Sequence, residues 1–408
     1  PPLVNYRMDE AGWSGADSIM DASGNNRPGT SVGGAAPDDI EPARDASPGT
    51  CGYGTFDGTD DGVEDGDAGQ YLNGLSEVTV SAWVYNAASL SDNNRGIFFT
   101  DDPSAQKDHR LGMRYDASGF NSGGSLTNGI KAGVQTTACN DGDDCVQVET
   151  ESDVIKQGQW QHVAMTWQSG GDLRVYVDGT DVTGDGAGDI GQGTGGTLDA
   201  INGLRIAQGA TGERWQGRID EFRVYDQALT ASEVQGVFLD THPCPLTADD
   251  VQAGRVTLND TMSDPSFNEV CFDQAFPSKP LVFAFNDEQD PQPAGIRIRN
   301  VTASGFEIAQ LEPPGEDGPS GATTVDFVAI VPGDYSLDSG TRLTVDSIST
   351  IRYQSGGAAG STGWATPSFA SPFPAAPAVL GQVQTMNNES GSPAPPEGPS
   401  EPWLKTAI

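Results

Sequence analysis

The sequence predicts an all-β protein, and two features of its 408 residues lead to that fold class. The first is its content of turn-forming residues, 53 glycines and 27 prolines, which divide the chain into short segments and disfavour long helices. The second is the recurrence of short runs in which apolar and polar residues alternate, the period of a half-buried strand. The 7 Trp, 15 Phe and 9 Tyr of the chain are set in such runs, which argues for packed structure rather than disorder.

The net charge of −37, from 58 acidic and 21 basic side chains, excludes two classes of partner. A nucleic-acid-binding protein needs a basic surface that neutralises phosphates, and an anionic membrane surface repels a chain this acidic. No apolar stretch of the length needed to cross a bilayer occurs in the sequence. We therefore expect no nucleic-acid partner and no membrane insertion.

Residues 1–242 are predicted to form one domain, in which strand-like runs follow one another at short spacing. In chain order, these runs cover 78–85, 96–99, 110–115, 160–167, 173–177 and 218–225. The Asp178-Gly179 pair predicts a tight turn after the fifth run. Thr230, with Glu233 three residues later, forms a capping-box pattern that predicts one short helix at the end of the domain.

Residues 246–335 are predicted to form a second, smaller antiparallel β-sandwich. Its strand-like runs cover 254–258, 280–285, 296–301, 305–309 and 325–330. The segment FPSKPLV at 276–282 recurs as FPAAPAV at 373–379, which predicts a second copy of this sandwich over 336–408. We expect the second copy to be incomplete, because no counterpart of the strand around Phe327 follows.

The cysteines indicate an exported protein. Cys139 and Cys145 flank a short acidic loop that a disulfide could close, and no CxxC pair of a zinc site occurs. Because disulfides are typical of oxidising compartments, we expect an extracellular location.

Several motifs of the first domain resemble those of LamG-like jelly rolls, the concanavalin A-like fold of laminin G and pentraxins. In family order they are FDGTDDGVE at 56–64, VTVSAWV at 78–84, WQHVAMTW at 160–167, VYVDG at 175–179 and GRIDEFRVYDQALT at 217–230. The resemblance implies a concanavalin A-like jelly-roll sandwich for residues 1–242, followed by the small antiparallel β-sandwich repeats.

The strand order in 246–335 is similar to that of the H-type lectins, which bind N-acetylgalactosamine. A LamG unit followed by such repeats resembles the MshQ family, large surface proteins associated with mannose-sensitive haemagglutinin (type IV) pili. This resemblance implies that Cys51 pairs with Cys244, which would leave Cys271 unpaired, and we expect Cys271 to be buried as a small hydrophobe. It also implies a bacterial cell surface as the location and pilus subunits among the partners.

Calcium is the predicted cofactor, since it takes six to eight oxygen ligands from carboxylates and loop carbonyls. The LamG family's Asp-x-Ser-Gly-Asn segment is matched at 21–25. The resemblance implies that Asp21 and Asn25, together with Asp220, hold a structural calcium that ties the N-terminal loop to the last strand. Alternatively, Asp21 and Asn25 only cap a turn. Two further acidic groups could hold a cation or be solvated loops, namely Asp57, Asp60, Asp61 and Glu64, and Asp141, Asp143 and Asp144.

Three residues are predicted to bind a ligand. Trp13 and Trp215 lie in polar surroundings and could stack against a sugar, although each could also be a packed residue. Arg297 matches an arginine near the H-type lectin site, although it could also offset nearby acidic residues.

No catalytic residues are predicted, and we expect a protein that is not an enzyme. A glycosidase needs two facing carboxylates, whereas Asp220 and Glu221 are adjacent in a strand and are expected on opposite faces. His162 is predicted to be a packed strand residue. The sequence therefore predicts an extracellular adhesion or recognition protein whose partner is a glycan or another cell-surface ligand. Two alternatives stay open: a structural spacer that binds nothing, and a non-catalytic accessory module of a polysaccharide-degrading enzyme.

Overall fold

The structure is a computed structural model, described for residues 1–90, 93–100, 111–119, 121–139, 145–184, 187–209, 212–258, 267–286, 295–311, 322–337, 341–349, 365–369 and 372–384. It divides into two compact units, Pro1–His242 and Pro243–Ile408, and each is described by itself. The first unit ends at His242, the residue at which the sequence predicts the end of the first domain.

Within its described residues, the first unit has fifteen strands and two helices. In chain order they are β1 (Val4–Tyr6), β2 (Thr30–Val32), β3 (Ala36–Asp38), β4 (Tyr53–Asp57), β5 (Gly62–Asp65), α1 (Gly69–Leu72), β6 (Glu77–Asn86), β7 (Arg95–Thr100), β8 (Leu111–Asp116), β9 (Gly129–Val134), β10 (Val146–Glu149), β11 (Trp160–Gln168), β12 (Arg174–Val177), β13 (Thr180–Asp181), β14 (Leu204–Ile206), β15 (Gln216–Tyr225) and α2 (Ala231–Leu239).

These strands form two antiparallel sheets with one core between them. The eight-stranded sheet has the order β13-β12-β11-β6-β15-β4-β3, with β1 also paired to β15. The seven-stranded sheet has the order β10-β9-β8-β7-β14-β5-β2. Apolar side chains from both sheets meet in the core, where for example the rings of Phe98 and Phe222 lie 5.5 Å apart. The predicted all-β sandwich is confirmed.

Three local predictions are confirmed in the first unit. Asp178 and Gly179 both have positive φ, 49° and 74°, and form the tight turn between β12 and β13. Thr230 and Glu233 form the predicted capping box, in which each side chain accepts a hydrogen bond from the backbone N–H of the other residue. His162 is 1 % exposed and packs against Trp83, as expected for a strand residue inside the fold.

Within its described residues, the second unit has nine strands. They are β16 (Cys244–Pro245), β17 (Val251–Leu258), β18 (Asn268–Cys271), β19 (Leu281–Asn286), β20 (Gly295–Thr302), β21 (Gly305–Leu311), β22 (Thr323–Ile330), β23 (Gly333–Ser336) and β24 (Arg342–Val345). They form three sheets of three strands each, in the orders β16-β23-β24, β17-β22-β19 and β18-β21-β20.

The core of the second unit is rich in phenylalanine. The rings of Phe272 and Phe276 lie 4.8 Å apart, and those of Phe306 and Phe327 lie 5.0 Å apart. The boundary predicted between 335 and 336 falls inside β23, which pairs with β24. The H-type-lectin likeness and the division into two copies remain predictions.

Among the described residues, no helix combines the length and the apolar character needed to cross a membrane.

Candidate functional site

The candidate site lies on the outer face of the seven-stranded sheet, the face turned away from the core. Strand pairing brings four residues of β7, β8, β9 and β10 into one row on this face, in the order Phe99, Gly112, Gly133 and Gln147. We call these four residues the glycine row. Its two central members are buried glycines, so only backbone lies between an aromatic ring and an amide.

A β-bulge turns Phe99 toward the outside. The register of β7 against β8 shifts between Gly96 and Phe98, so that Ile97 and Phe98 are both buried. The extra residue reverses the alternation of side chains, and the next ring, Phe99, reaches the outer face. Phe99 is partly exposed, whereas Phe98 is 1 % exposed.

A second row of charged residues runs beside the glycine row. Arg114 of β8 and Glu149 of β10 each pair with Lys131 of β9, so that two cations and one carboxylate stand next to the bare backbone. An Nη atom of Arg114 lies 2.6 Å from Glu213 Oε1. Arg114 and Lys131, together with Phe99, Gly112 and Gly133, line a shallow open groove, with Gly209 and Glu213 on one wall.

The wall of the groove that contains Glu213 packs so closely against β7 that position 96 must be glycine. A Cβ placed on Gly96 would lie 2.0 Å from the backbone nitrogen of Gly209, so the backbone of β7 directly contacts the backbone of the loop that follows β14. Gly209 in turn donates its N–H to the carbonyl of Glu213 at 2.7 Å. This close approach places the Glu213 carboxylate over β8.

Residues 121–128, which we call the strap, cover the outer face of β10. The carboxylate of Glu149 accepts two backbone N–H groups, from Asn121 at 2.5 Å and from Ser122 at 3.0 Å. The Asn121 amide donates to Gln147 Oε1 at 2.7 Å and accepts from Lys131 Nζ at 3.0 Å. Glu149 and Gln147 are consequently only 2 % and 4 % exposed.

The opposite end of the glycine row continues onto exposed strands. Phe99 pairs with Arg205 of β14, and Arg205 pairs with Glu64 of β5. The Arg205 guanidinium lies 5.9 Å from the centroid of the Phe99 ring and 3.0 Å from Glu64 Oε1. The side chains of Arg205 and Glu64 are about one third exposed, so this end of the row faces solvent.

A buried cluster of charged residues lies on the eight-stranded sheet. Glu221 Oε1 lies 2.6 Å from His242 Nε2, which is also 3.4 Å from Asp9 Oδ2. Burial raises the pKa of Asp9 to about 7, and the Glu221 charge adds to this effect. Burial also opposes the charge of Glu221, but the hydrogen bond with His242 and the Arg223 guanidinium outweigh it and lower the Glu221 pKa.

Asp220 belongs to this cluster. Its carboxyl is fully buried, and burial, followed by the charges of Glu221 and Asp9, raises its pKa well above the usual range. One oxygen accepts the Glu221 N–H at 2.7 Å, and the other has no hydrogen-bond partner within the described structure. A register shift after Asp220 and the positive φ of Glu221, 50°, break the strand alternation. The expectation that Asp220 and Glu221 point to opposite faces is therefore wrong, because a bulge brings both carboxyls into one cluster.

The other predicted calcium ligands are engaged in a turn. Asp21 accepts the backbone N–H groups of Asn5, Ser23 and Arg27 and the hydroxyl of Ser23, at 2.8–3.0 Å. The Asn25 amide donates to the carbonyl of Leu3 at 3.0 Å. These contacts match the turn-capping alternative, and the calcium set Asp21, Asn25 and Asp220 remains a prediction.

Groups of three or more potential metal ligands occur at two places among the described residues. The first comprises Asp9, Cys51 and His242, but Cys51 is disulfide-bonded and offers no thiolate. The second comprises Asp57, Asp60 and Asp61, an acidic group in the turn that follows β4. In that group, Asp61 accepts the backbone N–H groups of Gly34 and Asp57, so it organises the turn. Asp141, Asp143 and Asp144 lie outside the described residues.

The residues predicted to bind a ligand are not among those that line the groove. Trp215 is fully buried, and its indole N–H donates to the carbonyl of Arg218 at 3.2 Å, so it offers no face to a sugar and this prediction is wrong. Trp13 is partly buried against the core and donates to Glu10 at 2.9 Å. Arg297 is 5 % exposed and lies in the second unit.

Disulfides are present in the structure. Cys139 and Cys145 form one, with a Cα–Cα distance of 5.6 Å, and Cys51 and Cys244 are both disulfide-bonded. Cys271 has a free thiol and is exposed, so the expectation that it is buried is wrong. It follows Val270, which packs against the core, and strand alternation turns the next side chain outward.

Sequence reasoning missed the groove because β9, β10 and β14 were not among the predicted strands. The four residues of β10 are all buried, since the core covers one face and the strap covers the other, so no alternation is visible. One signal was present: Gly112 and Gly133 interrupt apolar runs, and glycine inside a strand often marks a surface that another group approaches.

Residues 57–235 match the family model Laminin_G_3, described as the concanavalin A-like lectin/glucanases superfamily. The matched segment runs from the end of β4 into α2 and includes every strand of the groove. No curated protein matches the chain.

Solved structures similar to this chain are distant in sequence. Domain 4 of AbnA, a GH43 extracellular arabinanase from Geobacillus stearothermophilus in complex with arabinotriose, is 19% identical, with 58% of this chain and 97% of that chain covered and a TM-score of 0.39. The native heptameric SAP-like pentraxin from Limulus polyphemus is 20% identical, with coverages of 41% and 71% and a TM-score of 0.30. The binding domain of Paraclostridial Mosquitocidal Protein 1 is 14% identical, with coverages of 71% and 66% and a TM-score of 0.41.

Proposed function

We propose that the LamG-like jelly roll of the first unit is a non-catalytic module that binds a glycan in the groove of its seven-stranded sheet. The observation that carries this proposal is the glycine row, in which two bare backbone positions separate the ring of Phe99 from the amide of Gln147. The concanavalin A-like lectin/glucanase family match agrees with it.

The chemistry of the groove suits a sugar. A sugar ring has one face of C–H groups and a rim of hydroxyls, so it needs an apolar surface beside hydrogen-bonding groups. Phe99 supplies the apolar surface, and Arg114, whose side chain is 18 % exposed, supplies N–H donors next to it. The absent side chains at Gly112 and Gly133 let a flat ring lie close to the sheet.

The carboxylates of this face are held in structural contacts, which supports binding without hydrolysis. Asp116 accepts the backbone N–H groups of Ser118 and Gly119, Glu149 holds the strap, and Glu213 pairs with Arg114. A glycosidase instead places one carboxylic acid and one carboxylate on either side of the scissile bond. Glu213, the carboxylate among the described residues that line the groove, therefore serves as an anchor.

We extend the proposal to adhesion at a bacterial cell surface, with pilus subunits among the partners. The disulfides indicate an extracellular protein, because they persist in oxidising compartments. The net charge of −37 gives a hydrated surface that is suited to that setting.

Structural calcium is part of the proposal, and Asp220 is the residue that supports it. Its buried oxygen without a hydrogen-bond donor lies near a second, partly buried carboxyl, Asp9, and a divalent cation would neutralise both. Asp21 fits less well, since its two oxygens already accept four hydrogen bonds. Bound calcium would supply structural cross-linking rather than chemistry.

A glycan array probed with the full chain tests the proposal. Phe99→Ala should weaken binding at least about tenfold, because an aromatic contact and its buried area contribute on the order of 1–3 kcal/mol. Phe285→Ala, which truncates an exposed phenylalanine of the second unit, is the matched control and should bind like the wild type. An array without any bound glycan, or equal binding by Phe99→Ala, would contradict the proposal and favour a spacer.

A further inference from the structure

We infer that the groove receives the end of a glycan chain rather than its interior; this inference rests on the proposed function. It comes from a difference between the two ends of the glycine row, of which one is closed and the other is open. One end meets the strap, and the other continues to the exposed residues Arg205 and Glu64.

The closed end is a wall built from three side chains. Asn121 stands at its centre and contacts both Gln147, the last member of the glycine row, and Lys131 of the charged row. A second donation from the Asn121 amide, to the carbonyl of Gly188 at 3.4 Å, ties the wall to another loop. Because Gln147 and Lys131 are 4 % and 9 % exposed, the groove does not continue over β10.

The wall is held firmly from below. Glu149 is buried beneath the strap, where it accepts the N–H groups of Asn121 and Ser122. Hydrogen bonds to a buried carboxylate are among the stronger ones in proteins, and loss of either partner leaves an unpaired group. The position of Asn121 is therefore set by backbone contacts, and the wall forms without ligand.

The open end permits the rest of a chain to leave the groove. From Gln147 to Phe99 the row spans three strand spacings, roughly 14 Å, which accommodates a short terminal segment. Beyond Phe99 the chain would pass over Arg205 and Glu64, whose partly exposed side chains can contact hydroxyls. An internal segment would have to extend in both directions, and the strap blocks one of them.

Chain-length dependence tests this inference with the full protein. Linear amylose, laminarin, mannan and xylan are first screened by calorimetry, with Phe99→Ala as the control for binding in the groove. The polysaccharide that binds is then partly hydrolysed into fractions of different mean length. If the groove receives chain ends, the number of protein molecules bound per polysaccharide chain stays constant as the chains lengthen, whereas internal binding makes it rise in proportion to length.

A strap variant completes the test. Asn121→Ala removes the centre of the wall. In this variant, the number of protein molecules bound per polysaccharide chain should increase with chain length. Ser125→Ala, at an exposed strap position, is the matched control and should keep the wild-type stoichiometry. A length-proportional stoichiometry of the wild type, lost in Phe99→Ala, would overturn the end-binding inference alone. No binding to any of the four polysaccharides, or binding unchanged by Phe99→Ala, would count against the proposed function as well.

Discussion

The carboxylate of Glu149 accepts the backbone N–H of Asn121 at 2.5 Å, beneath the strap that covers β10. A second N–H, from Ser122, reaches the other carboxylate oxygen at 3.0 Å. The pair fixes the strap to the sheet and so defines where the groove ends.

Glu149→Gln should destabilise the first unit by about 1–3 kcal/mol. The substitution replaces one carboxylate oxygen by an NH₂ group, which cannot accept the N–H of Asn121 or Ser122, so one buried donor is left unpaired. Denaturant unfolding of wild type and variant measures this difference. Glu151→Gln, at an exposed position two residues later, is the control and should change stability little. Equal stabilities of Glu149→Gln and the wild type would show that the strap is not anchored through this carboxylate.

The sequence allowed the framework of the fold to be predicted because its signals are local. The capping box at Thr230 and the turn at Asp178-Gly179 are each contained in a few consecutive residues. The groove is different, since Phe99 and Gln147 are far apart in sequence and meet only through the pairing of four strands. No short-range pattern carries that register.

Whether a single residue is buried or exposed could not be predicted from its neighbours in the sequence either. Trp215 has polar neighbours in sequence but is fully buried, while Phe99 follows two buried residues and reaches the outer face through a bulge. A bulge likewise brings Asp220 and Glu221 together. Bulges change the face of every following side chain, and nothing in a binary apolar pattern marks them.

Gly112→Val should abolish glycan binding. The position is a buried one in extended strand backbone, on the sheet face opposite the core. A β-branched residue therefore suits the strand but fills the floor of the groove beside Phe99. We expect a loss of binding of at least about tenfold, equivalent to 1.4 kcal/mol or more. Calorimetric titration with a glycan that binds the wild type measures it.

Gly66→Val is the control for the same substitution. A Cβ at Gly66 meets no atom within 4 Å, and the residue is exposed outside the groove. This variant should bind like the wild type. If Gly112→Val also bound like the wild type, the glycine row would not be the ligand surface.

His162 should make the first unit sensitive to acid. Burial, followed by the charges of Arg223 and Arg44, lowers the His162 pKa to about 3. The unfolded chain takes up a proton near pH 6.5 while the folded protein does not, so stability is fully present above pH 6.5 and falls as the pH drops toward 3. The loss is of the order of a few kcal/mol.

His162→Phe should reduce this dependence, because it keeps a ring beside Trp83 and removes the titrating group. The free energy of unfolding, measured between pH 7 and pH 4 for both proteins, gives the difference. Tyr176→Phe is a control in the same sheet whose effect should not vary over this range, because the removed hydroxyl does not titrate there. A stability difference between His162→Phe and the wild type that is constant with pH would contradict this assignment.

Asp220→Asn tests whether Asp220 binds calcium or is a buried carboxyl that holds no ion. Without divalent ions, we expect the variant to be at least as stable as the wild type at neutral pH, since burial and the charges of Glu221 and Asp9 disfavour the ionised form. With calcium, the wild type should gain stability, about 2.7 kcal/mol at a hundredfold excess over the dissociation constant, and the variant should gain none. Thermal unfolding in chelator, in calcium chloride and in sodium chloride of matched ionic strength measures both effects. If calcium and sodium act equally on the wild type, or if calcium stabilises Asp220→Asn as much as the wild type, Asp220 does not hold a calcium ion.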